Sequence, residues 1–247
     1  MKRTELQMGM PIAVEIVGDD VPEGAFSAVY DWFRVVDERF STYKPDSEVS
    51  RINRGLPESE WSDDMKAVLV LCSHTKQQTN GYFDVYHGGQ LDPSGLVKGW
   101  SIERAARLLL KQGYRDFCID AGGDVQVHGH NAAGMLWRVG IRNPFNRAEI
   151  VKVVHVQMEG VATSGAYIRG EHIYNPHVPG VPPKGVASIT VIGPNIYEAD
   201  RFATAAYAMG LPGIRFIESL DGLEAYMIDM DGMATMTSNF ERYIVTR

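Results

Sequence analysis

Asp200 and Thr204 stand four residues apart in a stretch whose apolar residues Ala199, Phe202, Ala203, Ala206 and Tyr207 recur at helical spacing. A carboxylate and a hydroxyl one turn apart share a helix face and can converge on one cation. Hard oxygens suit Mg²⁺, which keeps waters or phosphate oxygens in its other positions; without a third donor the simpler reading of the pair is a solvated face. The run Leu91-Asp92-Pro93-Ser94-Gly95-Leu96-Val97-Lys98-Gly99-Trp100 reads as a polar turn opening a helix. Free amides at a helix start and the Lys98 ammonium suit a phosphate, with Ser94 or Asp92 as the cap. On spacing alone a capped helix with a surface lysine is simpler, since this is not the G-x-x-x-x-G-K-[ST] loop. Asp120-Ala121-Gly122-Gly123-Asp124 lies between two apolar runs. Adjacent glycines let backbone N–H groups approach an anion, or the segment is a hairpin turn with Asp124 as a turn residue. His172, in Gly170-Glu171-His172-Ile173-Tyr174-Asn175-Pro176 after Thr163-Ser164-Gly165, has the pKa class for proton transfer near neutrality. No G-x-S-x-G, HExxH or paired CxxC occurs, which leaves serine hydrolase and zinc protease chemistry without support.

The elements that must position these residues follow from periodicity. Gln7 to Val17 reads as a first strand, and Pro22 to Phe40 as a helix with Val29, Trp32, Phe33, Val36 and Phe40 on one face. Asp46 or Ser47 caps a short helix ending near Asn53, and Ser62 caps a longer one stopped by Gly81. Ile102, Ala105, Ala106, Leu109 and Leu110 mark the clearest helix, stopped by Gly113. Strands are expected at Phe117 to Asp120, Val125 to His128, Trp137 to Ile141, Ile150 to Met158, Val161 to Ser164 and Val186 to Ile192. A hairpin joins Leu223 to Met230 with Met233 to Ser238 across Asp231-Gly232. Frequent hairpins among interleaved helices favour an α+β fold with a mixed or antiparallel sheet over a parallel one, and no composition shift divides residues 1–247, so a single domain is expected.

Composition narrows the classes. The chain has 247 residues, 45% hydrophobic and 22% charged, with net charge -7, which excludes disorder. The acidic balance without a Lys/Arg run argues against nucleic acid as a partner. Cys72 and Cys118, both in apolar stretches, read as buried packing residues in a reducing compartment, not as a zinc site. Glu5, Gln7 and Glu15 interrupt any apolar leader, and no run is long enough to span a bilayer, so a cytoplasmic protein with no membrane span is expected.

Taken in order, the motifs resemble the ApbE family of FAD:protein FMN transferases. The resemblance runs from Met8-Gly9-Met10 through Ser41-Thr42-Tyr43-Lys44 with Asp46-Ser47-Glu48, Phe83-Asp84-Val85, Asp92-Pro93-Ser94-Gly95 with Lys98-Gly99, and Ala121-Gly122-Gly123-Asp124. It continues through Trp137-Arg138-Val139-Gly140-Ile141, Thr163-Ser164-Gly165, His172-Ile173 with Pro176, Ala199-Asp200 and Ala203-Thr204. It implies a T-fold-like α+β domain in which FAD is the substrate, Mg²⁺ the cofactor and a flavoprotein with a D-x-x-[ST]-G-A-[ST]-like motif the acceptor. Met8, Tyr43, Asp92, Lys98, Gly122, Gly123, Asp124 and Ile173 would then contact FAD. The Gly95 carbonyl, Asp200 and Thr204 would hold the metal, and His172 and Asp200 would be the catalytic residues, His172 assisting deprotonation of the acceptor hydroxyl. The implied reaction is FMN transfer to a Ser or Thr hydroxyl with AMP leaving. The alternatives are hydrolysis of FAD to FMN and AMP, and FAD binding without catalysis.

Overall fold

In the computed structural model, which describes residues 1–165, 173–178 and 180–244, the chain opens as a hairpin. Strand β1 (Lys2–Gln7) turns through Met8 and Gly9, whose φ angles are +52° and +72°, into β2 (Met10–Ile16). The expected single strand from Gln7 to Val17 misses this turn, because Met8-Gly9 lacks the Asn or Asp that usually announces two residues at positive φ. Helix α1 (Glu23–Phe40) follows with Val29, Phe33, Val36 and Phe40 buried on one stripe. Ser47 accepts the Ser50 N–H to cap α2 (Glu48–Asn53), and Ser62 accepts the Met65 N–H to cap α3 (Asp63–Gln78). A two-stranded ribbon absent from the periodicity, β3 (Tyr86–His87) with β4 (Gln90–Leu91), leads into α4 (Ser94–Lys111).

The remaining elements are β5 (Phe117–Ala121), β6 (Asp124–His128), β7 (Trp137–Arg142), β8 (Ile150–Val156), β9 (Gly160–Gly165), β10 (Val186–Gly193), α5 (Ile196–Met209), α6 (Gly213–Glu218), β11 (Glu224–Asp229) and β12 (Ala234–Met236). Among the described residues eight strands form one sheet in the order β1-β2-β5-β6-β9-β10-β11-β12, every neighbouring pair antiparallel. The α+β expectation holds, and the antiparallel branch of it is the one the chain adopts.

Helices α1, α4 and α5 cover one face of the sheet. Their apolar stripes meet Ile12, Val14, Ile16, Phe117, Ile119, Ile189 and Val191 in the main core, and each large side chain so buried contributes about 1.5–3 kcal/mol. A second core joins α3 to the start of α4 through Met65, Val68, Cys72, Phe83, Leu96 and Trp100. On the other face, the β7–β8 hairpin and a final turn at Phe240–Tyr243 pack over β6, β9, β10 and β11. Of the two thiols, Cys72 is buried as expected, while Cys118 sits half-buried on the hairpin side. No described helix is long and apolar enough to cross a membrane.

Candidate functional site

The site begins where α4 and α5 touch. A Cβ added to Gly99 would lie 2.7 Å from the Asp200 Cβ and 2.8 Å from the Ile196 carbonyl oxygen, and one on Gly95 would lie 3.2 Å from the Thr204 Cγ2. Two glycines one turn apart on α4 therefore admit Asp200 and Thr204, one turn apart on α5. The Gly99 N–H donates to Asp200 Oδ2 at 2.7 Å, and the Thr204 hydroxyl donates to the Gly95 carbonyl at 3.3 Å. Asp200 is only 7% exposed, so the solvated-face reading of this pair fails. Carboxylate, hydroxyl and main-chain carbonyl here form an all-oxygen donor set, the kind that fits Mg²⁺ completed by water or phosphate oxygens. Among the described residues no group of three His, Cys, Asp or Glu side chains could hold a metal, so a cation here would rest on these mixed donors.

Lys98 is the second departure from the simpler reading. It is not a surface lysine: its Nζ lies 2.8 Å from Asp124 Oδ2, with the two side chains 11% and 4% exposed. The other Asp124 oxygen accepts the Thr163 N–H at 3.1 Å, so one carboxylate ties α4 to β6 and β9. Asp124, the first residue of β6, is thus an ion-pair partner more than a turn residue. The cap of α4 also differs: Pro93 holds the cap position, while Asp92 Oδ1 accepts the Ser94 N–H at 2.9 Å.

These groups line one cleft open to solvent, together with Asp84, Ser164, Ile173, Tyr174 and Pro176. The Tyr174 hydroxyl donates to the Asp84 carbonyl at 2.8 Å. Burial first, then the Asp84 and Asp92 carboxylates, push its phenol up to about 12, which keeps it a donor. The charged lining among the described residues is Asp84, Asp92, Asp124 and Asp200 against Lys98 alone. Against this described lining an anionic ligand meets mostly like charge, which a cation bound with it would offset.

The sequence-derived candidates divide by position. Asp92, Gly95, Lys98, Asp124, Ile173, Asp200 and Thr204 come together in the cleft. Met8 and Tyr43 line an adjoining groove that meets the cleft at Ser94 and Lys98. Gly122 and Gly123 form the β5–β6 turn at φ +60° and +99° and face a separate groove on the hairpin side of the sheet, Gly122 backing onto Met10. His172 lies outside the described residues. Sequence reasoning did not single out Tyr174 or Asp84 as site residues; no spacing links them, and only the fold brings the two positions, 90 residues apart, into hydrogen bond.

Comparison with known proteins defines the class. The sequence profile of the ApbE family matches residues 8–89 and 86–227, and the chain belongs to that family. Among curated relatives, the Escherichia coli K12 FAD:protein FMN transferase is 27% identical over 210 residues, covering 77% of this chain and 59% of the relative. The chain therefore spans about three fifths of that relative's length. The Rhodobacter capsulatus FAD:protein FMN transferase is 36% identical over 129 residues, covering 49% of this chain and 24% of the relative. Two solved structures share the fold: the flavin transferase ApbE from Vibrio cholerae, with TM-score 0.85, 22% identity and 99% of each chain covered, and the ApbE protein from Thermotoga maritima, with TM-score 0.87, 18% identity and 100% and 99% covered.

Proposed function

We propose that this chain is an enzyme, one ApbE domain that moves FMN from FAD to a Ser or Thr hydroxyl of an acceptor flavoprotein and releases AMP. The observation that carries the reading is the meeting of three oxygen donors, the Gly95 carbonyl, the buried Asp200 carboxylate and the Thr204 hydroxyl, with the ion-paired Lys98 in an otherwise acidic cleft. In the transfer, the acceptor oxygen forms a bond to the FMN phosphorus, the bond from that phosphorus to the bridging oxygen breaks, and the hydroxyl proton leaves. Mg²⁺ held by the three oxygens would neutralise phosphate charge. Lys98, fixed by Asp124, places a second positive charge without solvent reorganisation. Asp200 is held by the Gly99 amide, and Met8 and Tyr43 flank the groove that would receive the flavin end of the nucleotide. Ile173 supplies an apolar wall, and His172 is our candidate for taking the hydroxyl proton. The protein needs no nucleophile of its own.

The test is Asp200→Ala assayed with FAD, Mg²⁺ and an acceptor domain carrying the D-x-x-[ST]-G-A-[ST] motif. Wild type is expected to yield a covalent fluorescent acceptor with the mass of FMN added, together with AMP. The variant is expected to lose at least about a hundredfold in rate, the scale of removing a principal charge stabiliser. Fast AMP release without acceptor would establish a hydrolase instead, and tight FAD binding with neither product would leave a binding protein.

A further inference from the structure

Across the sheet from the helices, the β7–β8 hairpin packs on β6, β9, β10 and β11 and leaves the adjoining surface of β2 and β5 beside a groove open to solvent. Ala13, Glu15, Cys118 and Asp120 form its floor, and β7 its wall. The edge of β7 away from β8 pairs with no strand among the described residues. Arg138, Gly140 and Arg142 on that strand are exposed, and among the described residues Arg138 has no carboxylate partner. Among the described residues the charged lining is Lys2, Arg138, Arg142 and Arg147 against Glu15 and Asp120, a local positive excess on a chain of net charge -7. Glu15 lies cross-strand from Lys2, and Asp120 Oδ1 accepts the Gly123 N–H at 2.9 Å. Arg138 and Arg142 of β7, the latter donating to the Arg147 carbonyl at 3.1 Å, carry the excess together with Arg147 just beyond the strand.

The groove meets the cleft at one residue. Thr163 lines both: its N–H is held by Asp124 in the cleft, and its hydroxyl bonds the Thr190 hydroxyl at 2.8 Å. A chain lying along β7 would therefore share Thr163 of β9 with whatever fills the cleft.

We propose that this groove binds an extended acidic polypeptide, the segment of the acceptor protein beside the hydroxyl to be modified. Its backbone adds to the free edge of β7, and its carboxylates meet Arg138 and Arg142. Main-chain pairing supplies affinity and the arginines supply selectivity and encounter rate. The assignment of the occupant as acceptor rests on the transferase reading above; the binding of an acidic strand does not.

The test uses the full chain and its R138E/R142E variant, both substitutions at exposed positions, with thermal melting to confirm folding. A fluorescein-labelled acidic dodecapeptide, its lysine counterpart and a version N-methylated at alternate residues are titrated by anisotropy. The acidic peptide is expected to bind wild type, to bind the variant at least about tenfold more weakly, and to weaken with salt on the scale of the Debye length. The lysine and N-methylated peptides are expected not to bind. Equal affinity for wild type and variant, or no preference for acid over lysine, overturns the proposal. With an acceptor domain as substrate, the variant is expected to show KM raised about tenfold at unchanged kcat and FAD affinity; an unchanged KM overturns the occupant. Peptide binding that follows the arginines in a protein that labels no acceptor keeps the groove and sinks the transferase reading instead.

Discussion

Lys98 and Asp124 form a buried ion pair, and such a pair is costly to break from one side because the survivor keeps its charge without compensation. Lys98→Met is expected to destabilise the fold by about 3–5 kcal/mol in urea unfolding, and Asp124→Asn by a similar amount. The double variant K98M/D124N is expected to regain most of that stability while losing nucleotide affinity, since its buried charges are gone together. If the double variant is as unstable as the sum of the two, the pair is not coupled and Asp124 acts only through Thr163. At this scale the sequence marked residues that the fold brings into one cleft and misjudged their setting. Asp200 and Lys98 looked like surface groups because their partners, Gly99 and Asp124, stand about 101 and 26 positions away in the chain, beyond the reach of any periodicity.

Helices α4 and α5 cross where side chains are smallest, and the oxygen donors of Gly95, Asp200 and Thr204 lie at that crossing. Gly99→Ala would put a methyl 2.7 Å from the Asp200 Cβ and 2.8 Å from a main-chain carbonyl, so the helices must move apart. The expected cost is about 1–3 kcal/mol by thermal melting, the usual penalty of overpacking. A loss of Mg²⁺-dependent activity larger than the stability loss explains is expected as well, because the same shift displaces Asp200 from the Gly99 amide. Retained activity at weakened Mg²⁺ affinity would show that the crossing sets the metal and not the chemistry. Helix boundaries and caps were largely legible: Ser47 and Ser62 cap where the spacing put them. The β1–β2 hairpin and the β3–β4 ribbon were not, since neither turn carries an Asn-Gly or Asp-Gly signal and β3 and β4 are 2 residues each.

Across the whole molecule, burial holds several acids in their neutral form. Tyr30 and Tyr174 are pushed from 10.0 up to about 12, mainly by burial, helped by Glu5 at Tyr30 and by Asp84 at Tyr174. Cys72 and Cys118 rise from 9.0 to about 12 for the same first reason, with Asp120 and Glu15 adding to Cys118. Because the folded pKa values lie above the unfolded ones, this stabilisation is complete below pH 9.0 and is lost as pH rises toward about 12. Urea midpoints are expected to fall across that window, and Tyr30→Phe and Tyr174→Phe to flatten part of the fall. Both thiols are expected to resist alkylation in the native protein at mildly alkaline pH and to react once it is unfolded, as thiolate is the reactive form.

The residues by themselves determined the class of chain, the helical stripes, the alternating strands and the order of motifs that marks the ApbE family. Those are local or one-dimensional properties, written in spacing and composition. Tertiary structure decided which of the marked residues share a cleft. It buried Asp200 against Gly99 and Lys98 against Asp124, set Met8 and Tyr43 beside them, turned Gly122 and Gly123 toward the opposite face, and left β7 with a cationic free edge. Each of these depends on contacts between segments tens of residues apart, and burial, the quantity that turns a surface carboxylate into a paired one, exists only once those segments have packed.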